Sequence, residues 1–278
     1  MAMMNRNIPV LITDRAFKDE AEHIAYKLGS YVITELPQKG KSSCASSGAD
    51  HDSELILTLG AGGLALAGGG MTMRGDFSHM VRRIRRGAIG GEMLVKAARF
   101  KNAGAGSGAD DSLTALDATA GMGEDSLLLA AAGFKVEMYE YDAVIALLLD
   151  DAVKRAAASP ELAAAAGRMN VTAGDSIAAM KRIAAGEQEP PDLILLDPMF
   201  PEKRKSSLTK KKFQLIHELE KPCDDEEELL GAALSAHPRR IVIKRPLKGP
   251  YLAGIKPDYS IKGKTIRYDC LNTGLRAL

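Results

Sequence analysis

The stretch that most constrains this chain is Leu193-Ile194-Leu195-Leu196-Asp197-Pro198-Met199-Phe200-Pro201. An apolar run of strand length without polar alternation reads as a buried parallel strand. It stops at an acid, and two prolines with an aromatic residue between them keep the chain from continuing as strand or helix. A carboxylate, a proline carbonyl and an aromatic face gathered at a rigid strand end suit the holding of a planar base by its exocyclic amino group. A bare Asp-Pro turn satisfies the same local pattern. The choice between the two rests on residues upstream.

From residue 113 onward, strands alternate with helices. Strands are expected at 113–116, 135–139, 170–173, 193–196 and 240–243, and helices near 125–132, 144–158, 176–185 and 226–237. Segments 259–262 and 265–271, separated by Gly263-Lys264, form a closing hairpin. Five parallel strands with a terminal antiparallel hairpin give an α/β, Rossmann-like sheet with the layout of a class I methyltransferase. Upstream, residues 8–37 read as a β-α-β start, 40–53 as a Ser/Gly/Ala/Asp loop and 54–59 as a strand. Residues 60–70 fit either a turn or a strand pair. Residues 76–100 predict a helix at each end, interrupted by Gly87 and Gly90-Gly91, and 102–112 form a linker. The expected division is a small N-terminal α+β region at 1–75, connecting helices and linker at 76–112, and the methyltransferase domain at 113–278.

The first of these strands runs into Asp117-Ala118-Thr119-Ala120-Gly121-Met122-Gly123-Glu124-Asp125. Glycines at such a turn let a ligand lie against the backbone, where a Cβ would block it. The next strand ends in Glu140, at the spacing of an acid that grips a ribose diol. The third ends in Gly174-Asp175-Ser176, suited to an adenine edge, and the fourth in Asp197. Four consecutive strands therefore end in acids on one edge of the sheet. A dinucleotide would put its pyrophosphate at the helix N-terminus after the glycines. Asp117, Glu124 and Asp125 would repel that anion but suit the ammonium and sulfonium of S-adenosylmethionine (SAM). Glu124 and Asp125 also fit as first-turn acids complementing the helix dipole.

Four segments carry a resemblance to a known family. They are Leu116-Asp117-Ala118-Thr119-Ala120-Gly121-Met122-Gly123, Leu147-Leu148-Leu149-Asp150-Asp151, Leu196-Asp197-Pro198-Met199-Phe200-Pro201 with Lys205-Ser206-Ser207-Leu208, and Val242-Ile243-Lys244-Arg245-Pro246. Over roughly residues 76–270 the chain resembles the RsmJ family of bacterial small-subunit ribosomal RNA guanine-N2 methyltransferases. The resemblance implies methyl transfer from SAM to the exocyclic amine of one guanosine in 16S rRNA, free or within the 30S subunit. It puts the cofactor against Glu124-Asp125, Glu140-Tyr141, Asp175-Ser176 and Asp197, and the pattern of the first strand end adds Asp117, Gly121 and Gly123. The chain departs from the family at Glu124 and Tyr141, where a basic residue is usual, and at Glu202, where a histidine is. In the mechanism that follows, Asp197 and the Pro198 carbonyl accept the two amino hydrogens while Phe200 stacks on the base. Lys203, Arg204, Lys205, Lys210, Lys211 and Lys212, with Lys244 and Arg245, are the expected phosphate contacts.

Composition narrows the remaining classes. A net charge of +1 gives no whole-molecule attraction for nucleic acid, so binding must use local patches such as Arg82-Arg83-Ile84-Arg85-Arg86 and the run after Pro201. Either patch also fits a solvated face. The longest uncharged apolar stretch, 55–73, is interrupted by glycines, and no signal-peptide core is present, so a cytoplasmic protein without a membrane span is expected. Cys44, Cys223 and Cys270 are too few and scattered for a disulfide framework, and neither they nor the five histidines show metal-ligand spacing. No metal is expected. Two other readings stand beside the methylated guanine, an amino-methyltransferase for adenine or cytosine and a non-catalytic RNA-binding assembly factor.

Overall fold

The computed structural model describes residues 7–36, 55–100, 113–198 and 225–273. Two sheets organise them. The first has strands β1 (Val10–Ile12), β2 (Val32–Ile33), β3 (Ile56–Gly60), β4 (Gly63–Gly68) and β5 (Met71–Met73), in the order β2-β1-β3-β4-β5. Helix α1 (Lys18–Leu28) joins β1 to its parallel neighbour β2 and ends on Gly29 in the left-handed region. The stretch 60–70, which fits two readings in the sequence, is the turn and second strand of an antiparallel pair, with Gly60 opposite Gly63. Between Asp76 and Phe100 the helices are short, α2 (Val81–Ile84) and α3 (Met93–Ala98), because three glycines intervene.

The second sheet has strands β6 (Thr114–Asp117), β7 (Lys135–Glu140), β8 (Met169–Ala173), β9 (Leu193–Leu196), β10 (Arg240–Pro246), β11 (Tyr259–Lys262) and β12 (Ile266–Asn272). Their order is β11-β12-β10-β9-β6-β7-β8. Strands β10, β9, β6, β7 and β8 are mutually parallel, and β12 and β11 run antiparallel at one end. The crossovers contain α4 (Glu124–Ala131), α5 (Ala143–Ala157), α6 (Ala163–Ala166), α7 (Ser176–Ala184) and α8 (Glu226–Ser235).

The unbroken apolar run of β9 follows from its place at the centre. Alternate side chains of a strand point to opposite faces, and here helices cover both. Leu193 and Leu195 join the core that contains Leu94, Leu127 and Leu128 of α3 and α4. Ile194 and Leu196 join the core that contains Met180, Leu229 and Leu230 of α7 and α8. All four residues of β9 are fully buried. Their side chains are each worth about 1.5–3 kcal/mol on burial, which fixes the register of the strand that ends at Asp197.

Several strand ends differ from the expectation, and the ladders account for two of them. Strand β6 includes Asp117, because its ladder with β9 still pairs Asp117 with Leu195. Strand β10 runs three residues further, to Pro246, because its antiparallel partner β12 continues the ladder after the parallel partner β9 has stopped. Helix α5 is shared between the sheets. Val144, Ile145 and Leu148 pack with the first sheet, and Leu149, Ala152 and Val153 with the second. No helix among the described residues is long and apolar enough to cross a membrane.

Candidate functional site

In the second sheet the chain departs from β6 toward β7 on one side, and later strands add on the other, so the order reverses between β6 and β9. In open α/β sheets the ligand crevice lies outside the carboxyl ends of the strands at this reversal. The tips of β6 and β9 are tied together there, with the Ala118 N–H donating to the Leu195 carbonyl at 3.0 Å and the Asp197 N–H to Thr119 Oγ1 at 2.7 Å.

Asp117, the final residue of β6, is buried and turned back on its own loop. Its carboxylate accepts from Ser126 Oγ at 2.6 Å and from the Thr119 N–H at 3.1 Å. Burial pushes this carboxyl up to about 7 against those two hydrogen bonds. The sequence reading puts Asp117 beside a cationic cofactor. The structure corrects this, since a carboxylate at 2% exposure shapes the loop rather than meeting a ligand.

Gly121 and Gly123 are both left-handed, with φ of 52° and 76°, for different reasons. A Cβ on Gly123 would stand 2.5 Å from Leu149 Cδ1, so its small size serves packing of the loop on α5. A Cβ on Gly121 would meet nothing within 4 Å, so that backbone faces open space. The Gly121 N–H donates to Glu140 Oε2 at 2.9 Å, and Glu140 Oε1 accepts from the Asp142 N–H at 2.8 Å. Burial raises the Glu140 carboxyl, and these backbone donors oppose it. Tyr141, next to it, is exposed. Asp175 caps α7 by accepting from the Ile177 and Ala178 N–H groups, with Ser176 starting the helix, and Gly174 before it also borders open space.

Across the reversal, Lys244 organises the charges. Its Nζ lies 2.8 Å from Asp197 Oδ2 and 2.8 Å from Asp125 Oδ2, so one ammonium bridges the tip of β9 and the first turn of α4. Tyr268 on β12 donates its hydroxyl toward Asp125 Oδ1 at 3.4 Å. Desolvation, the largest influence, pushes the Asp197 carboxyl up, partly offset by Lys244. Because its side chain is 39% exposed, solvent moderates that push. Burial alone would lower the Lys244 ammonium. The carboxylates of Asp125 and Asp197 outweigh burial and hold it well above the ordinary lysine value. Pro198 follows Asp197 and is buried. Glu124 points outward to His79, with Nε2 and Oε1 3.1 Å apart.

These features coincide with what comparison with known proteins finds. The family described as "Putative SAM-dependent methyltransferase" matches residues 46–273. A ribosomal RNA small subunit methyltransferase J of Stutzerimonas stutzeri is 40% identical over 224 residues, covering 78% of this chain and 83% of that protein. One from Neisseria gonorrhoeae is 36% identical over 237 residues, covering 85% and 86%. This chain belongs to the ribosomal RNA small subunit methyltransferase J family. A crystal structure of a SAM-dependent methyltransferase from N. gonorrhoeae superposes with a TM-score of 0.69 at 28% identity, covering 97% of this chain and all of that one. The fold is therefore that of a class I SAM-dependent methyltransferase, with SAM as the methyl donor.

The residues present fit that cofactor. Open backbone at Gly121 and Gly174 lets a nucleoside approach, and the carboxylates of Asp125, Glu140, Asp175 and Asp197 suit hydroxyl groups and positive charge. Among the described residues, no group of three or more His, Cys, Asp or Glu is placed to hold a metal ion.

Two expected phosphate contacts are corrected. Arg245 has a fully buried side chain, with Nη1 donating to Glu226 Oε1 at 3.1 Å and Nε to the Pro250 carbonyl at 3.0 Å. Consecutive strand residues face opposite ways, so Lys244 points to the site and Arg245 into the far layer. Lys244 is committed to two carboxylates. Phe200, Lys203, Arg204, Lys205, Lys210, Lys211 and Lys212 lie outside the described residues. Sequence reasoning missed Thr119, Tyr268 and the inward role of Lys244. The strand register explains the role of Lys244. Leu196 pairs with Ile243, so the next residue of each strand, Asp197 and Lys244, are neighbours.

Proposed function

We propose that this methyltransferase transfers the methyl group of SAM to the exocyclic N2 amine of one guanosine in small-subunit (16S) rRNA. The observation that carries this reading is Asp197-Pro198 at the tip of β9, tied to the glycine loop by Thr119 and held by Lys244. The relatives, ribosomal RNA small subunit methyltransferases, supply the class of RNA, and the cytoplasm is where that RNA is made and assembled in bacteria.

A bound SAM supplies an electrophilic methyl on a sulfonium. The protein's own groups must aim the amine at it, because the N2 lone pair is delocalised into the guanine ring. Lys244 fixes Asp197 through Oδ2 and leaves Oδ1 to accept one amino hydrogen, while the Pro198 carbonyl accepts the other. Phe200 stacks on the base, which must leave its helix or already be unpaired. Glu140 holds the ribose and Asp175-Ser176 the adenine edge, and Asp125 faces the positive end of the cofactor. Lys203, Arg204, Lys205, Lys210, Lys211 and Lys212 meet RNA phosphates. Residues 113–278 form the methyltransferase domain, preceded by a connection at 76–112 and the N-terminal region at 1–75.

Purified protein should transfer label from methyl-labelled SAM to undermethylated small subunits or to their free rRNA. Labelling of DNA instead would favour the broader amino-methyltransferase reading. Cofactor binding without transfer to any nucleic acid would favour a non-catalytic binder.

A further inference from the structure

The segment between Asp76 and Glu92 runs along the glycine loop, and one of its four arginines has a use inside the fold. Phe77 and Met80 are buried in the main core, and Ile84 and Ile89 pack against it. Asp76 accepts from the Ser78 N–H and Oγ, both at 2.9 Å. Arg83 forks onto Glu92, with Nε to Oε1 at 3.0 Å and Nη2 to Oε2 at 2.8 Å. The carbonyl of Arg85 accepts from the Ala88 and Ile89 N–H groups. The backbone is thus fixed at both ends and in the middle.

Arg82, Arg85 and Arg86 are exposed, and none of them forms an ion pair among the described residues. Three like charges within five positions repel one another on a rigid backbone, a cost that an anion would remove. The segment touches the site. His79 meets Glu124 at 3.1 Å, and the Phe77 ring lies against Gly123. Helix α3, which follows the segment, meets the turn after β11. Met93, which follows the clamped Glu92, packs on Gly263, and Lys262 and Lys264 on either side of that glycine are exposed and also form no ion pair among the described residues.

We propose that Arg82, Arg85 and Arg86, extended by Lys262 and Lys264, form a ledge for the phosphates of the RNA strand that delivers the target nucleotide. This rests on the function proposed above. Guanidinium groups suit phosphate oxygens by their forked geometry, and preset arginines order few new groups on binding.

The test compares R82A/R85A/R86A with the parent and with R82K/R85K/R86K, by filter binding of undermethylated small-subunit rRNA over a range of salt. Three lost phosphate contacts on a single strand should make the log–log salt slope shallower by about 2 and weaken binding about tenfold or more at low salt. The lysine variant should keep most of the slope, and calorimetry with S-adenosylhomocysteine should give the parent affinity in all three. Parental affinity and slope in the alanine variant would overturn the ledge. Equal losses in both variants without a change of slope would also overturn it, by pointing to a structural role. Failure of the parent itself to bind or methylate this RNA would overturn the proposed function and the ledge with it, a result visible before any variant is made.

Discussion

Lys244 is the residue on which the charge balance of the site depends. One ammonium serves two carboxylates, leaving the group of three with one net negative charge toward a cationic cofactor. In Lys244→Met, Asp125 and Asp197 would face each other without a cation, and like charges that close favour protonation of one of them. The acid limb of the pH–rate profile should therefore move to higher pH, with activity at neutral pH reduced about tenfold or more and partly recovered in alkali. A limb at the parental position would remove Lys244 from this role. Asp117 makes a separate prediction, about stability. Its carboxyl is pushed up to about 7 by burial. A raised acid contributes stability that is fully present below its unfolded value and is lost as pH rises through its folded value. Between about pH 4 and 7 the parent should lose up to roughly 4 kcal/mol that Asp117→Asn does not lose. The amide can still accept from the Thr119 N–H and donate to Ser126 Oγ. Urea midpoints at several pH values would show the two curves diverging over that window, and parallel curves would contradict the assignment.

At the scale of elements, the glycine loop approaches α5 so closely at Gly123 that a side chain has no room there. Gly123→Ala puts a Cβ 2.5 Å from Leu149 Cδ1 at a φ of 76°. Overpacking of this kind costs about 1–3 kcal/mol, and a left-handed alanine adds about 1–2. Thermal unfolding should show that loss, whereas Gly121→Ala, with open space around it, should lose only the backbone share while obstructing the cofactor. Most of this architecture was legible in the sequence. An uninterrupted aliphatic strand, a Gly-x-Gly turn and acids at successive strand ends define a parallel sheet and its working edge, because each follows from local residue chemistry. Less legible were features set by partners distant in sequence. The extension of β10 depends on β12, and the fate of Lys244 and Arg245 depends on which face of β10 each occupies. Asp117 and Glu140 looked like free acids because a sequence does not show which backbone N–H groups will reach them.

For the whole molecule, the two sheets share α5, whose Val144, Ile145 and Leu148 are buried in the core of the first sheet and whose Leu149, Ala152 and Val153 are buried in that of the second. A net charge of +1 means that RNA must be held by local patches rather than by a whole-molecule field. In the function proposed above, the tip of β9 is where cofactor and base meet. Asp197→Ala should keep the fold, since its backbone N–H still bonds Thr119, and should lose about a hundredfold or more in turnover. The most direct test is mass spectrometry of nucleosides from undermethylated small subunits incubated with SAM and either the parent protein or Asp197→Ala. N2-methylguanosine should appear at one position with the parent and be almost absent with the variant. A methyl group on another base, or undiminished N2-methylguanosine with the variant, would contradict the proposed function.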